Sequence, residues 1–199
     1  MIKSAFRFAL NKIPRPLLIR LSYLARPVLA ALYSGDKFED PIDGRKYKKM
    51  LPYGYEGRQR ENALAPGTLS LERHRLMWLY LKEETDFFTA PHKVLHVAPE
   101  QCFYGRFRKM KNLDYLTADL NSPIADVEMD IHNIQYPDNT FDVVFCNHVL
   151  EHVTDDIKCM SELCRVLTPG GLAIMQVPLD VTKEVTDEDP TLEDPEERK

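Results

Sequence analysis

The first 35 residues contain no acid. Six of the chain's 26 lysines and arginines fall there (Lys3, Arg7, Lys12, Arg15, Arg20, Arg26), and all 31 acids fall later, so the net charge of −5 hides a basic arm joined to an acidic remainder. The arm also lacks an uninterrupted run of the ~18 apolar residues that a spanning helix needs. Bases recur through it, and no long apolar core precedes a small-residue cleavage site, which argues against a signal peptide. Missing, too, is any Cys-x-x-Cys pair among Cys102, Cys146, Cys159 and Cys164. These read as free, mostly buried thiols of a reducing, cytoplasmic compartment and not as a disulfide framework. At 199 residues the chain can hold one domain with a sizeable core plus appendages.

Taken in order, residues 1–35 read as short amphipathic helical pieces cut by Pro14, Pro16 and Pro27. Two readings stay open: an interfacial arm in peripheral contact with an anionic membrane, or helices that cover one face of a sheet. Residues 36–69 lack strong periodicity and carry two x-Pro-x-x quartets, Asp40 to Asp43 and Ala65 to Thr68. The outline is that of a small zinc ribbon with its ligands replaced. Two carboxylates, a methyl and a hydroxyl do not make a structural zinc site, so no metal is expected and an ordered loop is the simpler reading. Basic residues at 46–49 and 58–60 sit in no recognisable nucleic-acid module, and no nucleic acid is expected. From Ser70 to Phe87, Leu71, Leu76, Leu79 and Tyr80 recur at helical spacing, Trp78 and Leu81 widen the apolar face, and Thr68 or Ser70 is placed to cap the start. This helix is expected to pack on the sheet, as the first element of a core over residues 70–179.

Lys93 to Leu179 alternates strands with helical segments, the pattern of a parallel sheet. Strands are expected at Lys93 to Val97, Tyr115 to Ala118, Val127 to Met129, Phe141 to Cys146 and Leu172 to Val177, the last after a Pro-Gly-Gly break. Ligands of such sheets sit at the carboxyl ends of the strands, which is where Glu100, Asp119, Asp130, Asn147 and His148 fall. Between Lys93 and Tyr104 there is no glycine. A dinucleotide needs bare backbone N–H groups for its pyrophosphate, and Glu100 would repel that anion, so a nicotinamide cofactor is disfavoured.

The second half of this stretch carries a resemblance. Asp130 to Asp142 (DIHNIQYPDNTFD), Val143 to His152 (VVFCNHVLEH) and Glu162 to Gly171 (ELCRVLTPGG) together resemble the class I S-adenosylmethionine-dependent methyltransferases of the type 11 kind. The resemblance implies an α/β fold, a Rossmann-like doubly wound parallel sheet of about five strands here, preceded by the helical arm. It implies a methyltransferase with S-adenosyl-L-methionine as cofactor and an acceptor the chain does not reveal. The family's acid-x-Gly-x-Gly-x-Gly turn is met by His96, Ala98, Glu100 and Cys102, a departure that a cationic, phosphate-free cofactor tolerates. Cofactor contacts are expected from His96, Ala98, Glu100, Gln101, Asp119, Leu120, Asp130, Ile131 and Asn147: Asp119 on the ribose diol, Asp130 and Ile131 on adenine. Asp119 and Asp130 have plainer readings as a turn cap and a hydrated loop acid. His148 is the candidate base for an acceptor hydroxyl, while Glu151 and His152 read equally as caps of the next helix.

Only seven residues separate Asp119 from Val127, too few for a crossover helix. Residues 180–199 form an acidic tail without strands, so an apolar fifth strand is expected at the sheet edge and the chain is expected to be C-terminally incomplete. A catalytically silent methyltransferase-like scaffold at a membrane surface is the alternative that the lost glycines and lost ligand quartets suggest.

Overall fold

The computed structural model describes residues 15–54, 59–122, 124–179, 182 and 184; the start of the basic arm and nearly all of the acidic tail lie outside these. The chain divides into two compact units, residues 1–88 and 89–199.

In the first unit, α1 (Arg15–Leu32) is one continuous helix and not a set of short pieces. Pro16 lies in the first turn, where its missing N–H is not needed, and Pro27 is carried inside the helix. The described residues of the next stretch form four short strands and not one loop. β1 (Ser34–Asp40) pairs antiparallel with β2 (Arg45–Tyr47), and β3 (Leu51–Tyr53) with β4 (Arg60–Leu64). Ala30 of α1 joins Tyr47, Met50 and Ala65 in a small core, with Tyr33 and Phe38 packed against it.

The two quartets form matching turns. Gly44 N–H donates to the Asp40 carbonyl (2.8 Å) and Leu69 N–H to the Ala65 carbonyl (2.9 Å), and both Gly44 (φ 70°) and Leu69 (φ 59°) are left-handed. Side chains join them where a metal would sit in a zinc ribbon. The fully buried Asp40 accepts from the Thr68 hydroxyl (2.5 Å), the Ser70 hydroxyl (3.3 Å) and the Ile42 amide (3.0 Å).

Neither Thr68 nor Ser70 caps the next helix, α2 (Glu72–Glu83): Leu71 holds the N-cap position, and the Thr68 hydroxyl accepts from the Ser70 amide (3.1 Å) while it donates to Asp40. His74 Nδ1 accepts from the Leu71 amide at 3.0 Å. Of the expected apolar face, Leu71 and Leu81 are buried and the rest differs in part. His74, Met77 and Leu81 are buried, whereas Leu76 and Tyr80 are exposed. The boundary after Phe88 places α2 in the ribbon unit, so the sheet unit begins later than residue 70.

The second unit is built on five parallel strands in the order β7-β6-β5-β8-β9. They are β5 (His92–Val97), β6 (Leu113–Asp119), β7 (Val127–Glu128), β8 (Phe141–Asn147) and β9 (Leu167–Gln176). Alternation along β5 and β8 sends Leu95, Val97, Val144 and Cys146 into one core, with Cys159, Leu163 and Val166 of α4 (Asp156–Val166). The other face holds aromatic rings. Phe103 and Phe107 of α3 (Gln101–Phe107) stack at 5.1 Å, and Phe107 meets Tyr115 and Phe145.

Among the described residues between β6 and β7 no helix forms. Asp126 holds the short link instead, accepting from the Thr117 amide (3.0 Å) and hydroxyl (2.7 Å) and pairing with Arg108. Pro169-Gly-Gly171 lies within β9 as a bulge, the register passing from Phe141↔Leu167 to Val143↔Leu172. A Cβ on Gly171 would meet the Asp142 carbonyl at 2.8 Å. Among the described residues β9 is the outermost strand of the sheet on that side, as expected. Arg165 ties α4 to the loop before β8, donating to Glu162, Asp138 and the carbonyls of Ile134 and Tyr136.

Two outcomes follow. Asp40→Ala strands three buried donors and should cost about 3 kcal/mol of the first unit's stability, read by urea unfolding followed through Trp78; a chelator should leave the wild-type midpoint unchanged. Arg165 and the Ile134 amide hold the Glu162 carboxyl down to about 2 from 4.5. A carboxyl more acidic folded than unfolded stabilises the fold when ionised. The loss caused by Glu162→Gln should therefore be constant above pH 4.5 and shrink as pH falls toward about 2.

Candidate functional site

Five parallel strands bring their carboxyl ends to one rim. After β5 the chain turns at Ala98, whose φ of 50° supplies the left-handed conformation for which glycine is the usual residue, at a cost of ~1–2 kcal/mol. The Ala98 amide donates to the Ala118 carbonyl (2.8 Å), tying the turn to β6. Glu100 then precedes α3, of which Gln101 is the first residue. The Glu100 carboxylate, 14% exposed, meets His96 Nε2 at 2.5 Å through Oε2 and accepts from the Asn147 amide at 3.0 Å through Oε1. His96 itself is sealed from solvent among Phe107, Tyr115 and Phe145, so it reaches the rim only through Glu100. Its Nδ1 lies 2.7 Å from the Tyr115 hydroxyl. Burial, then the charge of Glu100, raises the Tyr115 pKa and keeps that phenol protonated. The phenol therefore donates to Nδ1, and Nε2–H donates to Glu100.

At the end of β6, Asp119 Oδ1 accepts from the amides of Asn121 and Ser122, 2.8 Å each. Its reading as a turn cap is thus realised, alongside its place on the rim; Leu120 beside it is exposed. Asp119 faces Glu128 in the ladder, and its carbonyl accepts from the Met129 amide (3.1 Å), which brings Asp130 to the neighbouring strand end. Asp130 Oδ1 accepts from the His132 amide (2.9 Å) and meets its Nδ1 (2.6 Å). Those bonds hold the carboxyl below its ordinary value. His132 Nε2 accepts from the Asp155 amide, so Nδ1 carries the proton given to Asp130. The Ile131 side chain points into the core.

At the end of β8, Asn147 is buried and His148 turns left-handed (φ 55°), its amide donating to the Gln176 carbonyl (2.7 Å). His148 Nδ1 lies 3.0 Å from Glu151 Oε1. Glu151 therefore pairs with His148 instead of capping α4, whose start is capped by Asp155 accepting from the Lys158 amide. Among the described residues, the sealed Glu151 Oε2 and Gln176 Oε1 have no hydrogen-bond partner. Burial pushes the Cys146 thiol up to about 12 and that of Cys159 to about 11, so both are inert at neutral pH. A separate open depression of ≈ 380 Å³, lined by Lys93, Asn112 and Asp142 among others, lies at the opposite, amino ends of the strands.

A family model described as "Methyltransferase domain" matches residues 106–175. This stretch is similar to a methyltransferase domain. The ubiquinone/menaquinone biosynthesis C-methyltransferase UbiE of Hydrogenovibrio crunogenus is 45% identical over 51 residues, 24% of this chain and 20% of that protein. An uncharacterized methyltransferase of Schizosaccharomyces pombe is 46% identical over 41 residues, 21% of this chain and 15% of that protein. The matched part thus spans about a fifth or less of the length of these curated relatives. The PH0226 protein of Pyrococcus horikoshii superposes with a TM-score of 0.38 at 22% identity, over 52% of this chain and 57% of that one.

The match begins at Arg106, after the glycine-free turn, so that turn lies outside it. Tyr115, His132, Glu151 and Gln176 are rim or supporting residues that spacing alone missed. Only a ladder register could have found Tyr115, since its strand meets β5 near His96; His132 and Glu151 were within reach as i+2 and i+3 neighbours of Asp130 and His148. Tyr115→Phe removes the donor to His96 and should cost about 1 kcal/mol of stability, measured by urea unfolding monitored by far-UV circular dichroism.

Proposed function

We propose that this chain binds S-adenosylmethionine at the carboxyl rim and transfers its methyl group to an acceptor. The observation that carries the reading is the set of carboxyls at neighbouring strand ends, Glu100, Asp119 and Asp130, in a turn and two loops without a phosphate-type cradle. Such a rim suits a ligand bearing a sulfonium and an ammonium and repels a pyrophosphate. The residues fit that cofactor: Asp119 keeps a second oxygen beyond its turn bonds for a ribose diol, and Asp130, exposed and held ionised by His132, offers an acceptor for an exocyclic amine. Glu100, pinned between His96 and Asn147, places negative charge beside the turn. What the bound cofactor supplies is a methyl group already activated on sulfur.

The chain's own task is then alignment and exclusion of water. His148 can do one thing more. Glu151 as a carboxylate can only accept, so Nδ1–H points to it and Nε2 is left as the proton acceptor, the arrangement of a base for a protic acceptor such as a hydroxyl. The second reading, a silent scaffold, draws on the same bonds, because Glu100 has both oxygens engaged and Asp119 and Asp130 one each.

Calorimetric titration of the full chain separates the two. Binding of S-adenosylmethionine is expected, with Asp119→Asn, which keeps a turn-capping oxygen, weakening it ~10-fold or more, and with no heat from NADH. Absence of heat at millimolar S-adenosylmethionine would assign the scaffold reading.

A further inference from the structure

We propose that the outer face of α1 is a docking surface for an anionic lipid bilayer, on which the helix lies in the plane of the interface. Within its unit the helix has two apolar sides. One is spent on the ribbon, where Ala30 is buried against Tyr47, Met50 and Ala65, and Tyr33 packs beside them. The other is open: Leu17, Leu21, Leu24, Val28 and Leu32 are 47%, 45%, 73%, 60% and 63% exposed. At helical spacing these five fall within an arc of about 80°, opposite Ala30 and Tyr33. A continuous stripe of large aliphatic side chains facing water signals a partner.

Charge selects the partner. With six bases and no acid in residues 1–35, a second copy of the arm would bring like charge against like charge, whereas a phospholipid surface bearing anionic headgroups matches both the apolar stripe and the basic charge of the arm. Among the described residues no helix is long and apolar enough to cross a membrane, which leaves an orientation in the interface plane.

This inference is independent of methyl transfer, and its test uses the full chain. Cosedimentation is measured with vesicles of phosphatidylcholine containing phosphatidylserine and with phosphatidylcholine alone. Binding to the anionic vesicles at low salt, weakened by added salt, is expected. Leu24→Glu and Val28→Glu, both at exposed positions, should each reduce partitioning ~10-fold or more. Leu76→Glu, at an exposed leucine of α2, should leave it intact, with far-UV spectra verifying that all three variants fold. No sedimentation with anionic vesicles overturns the proposal, as does binding that Leu24→Glu leaves untouched. A concentration-dependent dimer split by Leu24→Glu, without vesicle binding, assigns the stripe to a second copy and overturns it as well.

Discussion

A chain of buried hydrogen bonds, Tyr115 to His96 to Glu100 to Asn147, runs across three adjacent strands and determines the shape of the rim. Each member answers a need of its neighbour. A histidine inside a sheet must pair both ring nitrogens, and a carboxylate at 14% exposure must be given donors. Glu100 cannot leave the turn without stranding His96, and Asn147 cannot turn away without stranding Glu100. The usual glycine-rich turn gives a ligand bare backbone to approach. Here a left-handed Ala98 and a pinned carboxylate replace it, so the turn presents charge where backbone would otherwise stand.

The same exchange occurs in the ribbon. Two turns of equal backbone plan, ending in left-handed Gly44 and Leu69, are joined by the Asp40 carboxyl and two hydroxyls. Hydrogen bonds at 2.5 to 3.3 Å do the cross-linking that four metal ligands do in a zinc ribbon. Beyond the second turn, the Leu71 amide at the start of α2 donates to His74 Nδ1, and the helix buries His74, Met77 and Leu81.

Much of the sheet unit was legible beforehand because β5 and β8 are near-continuous apolar runs, as strands buried on both faces should be. Their alternation with helical segments led to the parallel sheet, and the short span between Asp119 and Val127 to the absence of a crossover helix, as found among the described residues. Elsewhere local signals misled. Prolines suggested a broken arm, yet Pro16 sits where a helix tolerates it and α1 continues through Pro27. Leu76 and Tyr80 fit a helical face by spacing, but spacing cannot say which of two faces meets the ribbon.

What the sequence alone determined was the strand and helix content of residues 92–176, the acids at the strand ends and the lack of glycine in the first turn, all of them local properties of period and composition. Tertiary structure decided what each polar group does. His96 became an interior support because register sets it against Tyr115 and Phe145; Asp119 became a turn cap as well as a rim acid; Asp40 found Thr68 across 28 residues of chain. Hydrogen-bond partners distant in sequence are chosen by packing, and a buried polar atom accepts whichever donor the fold delivers.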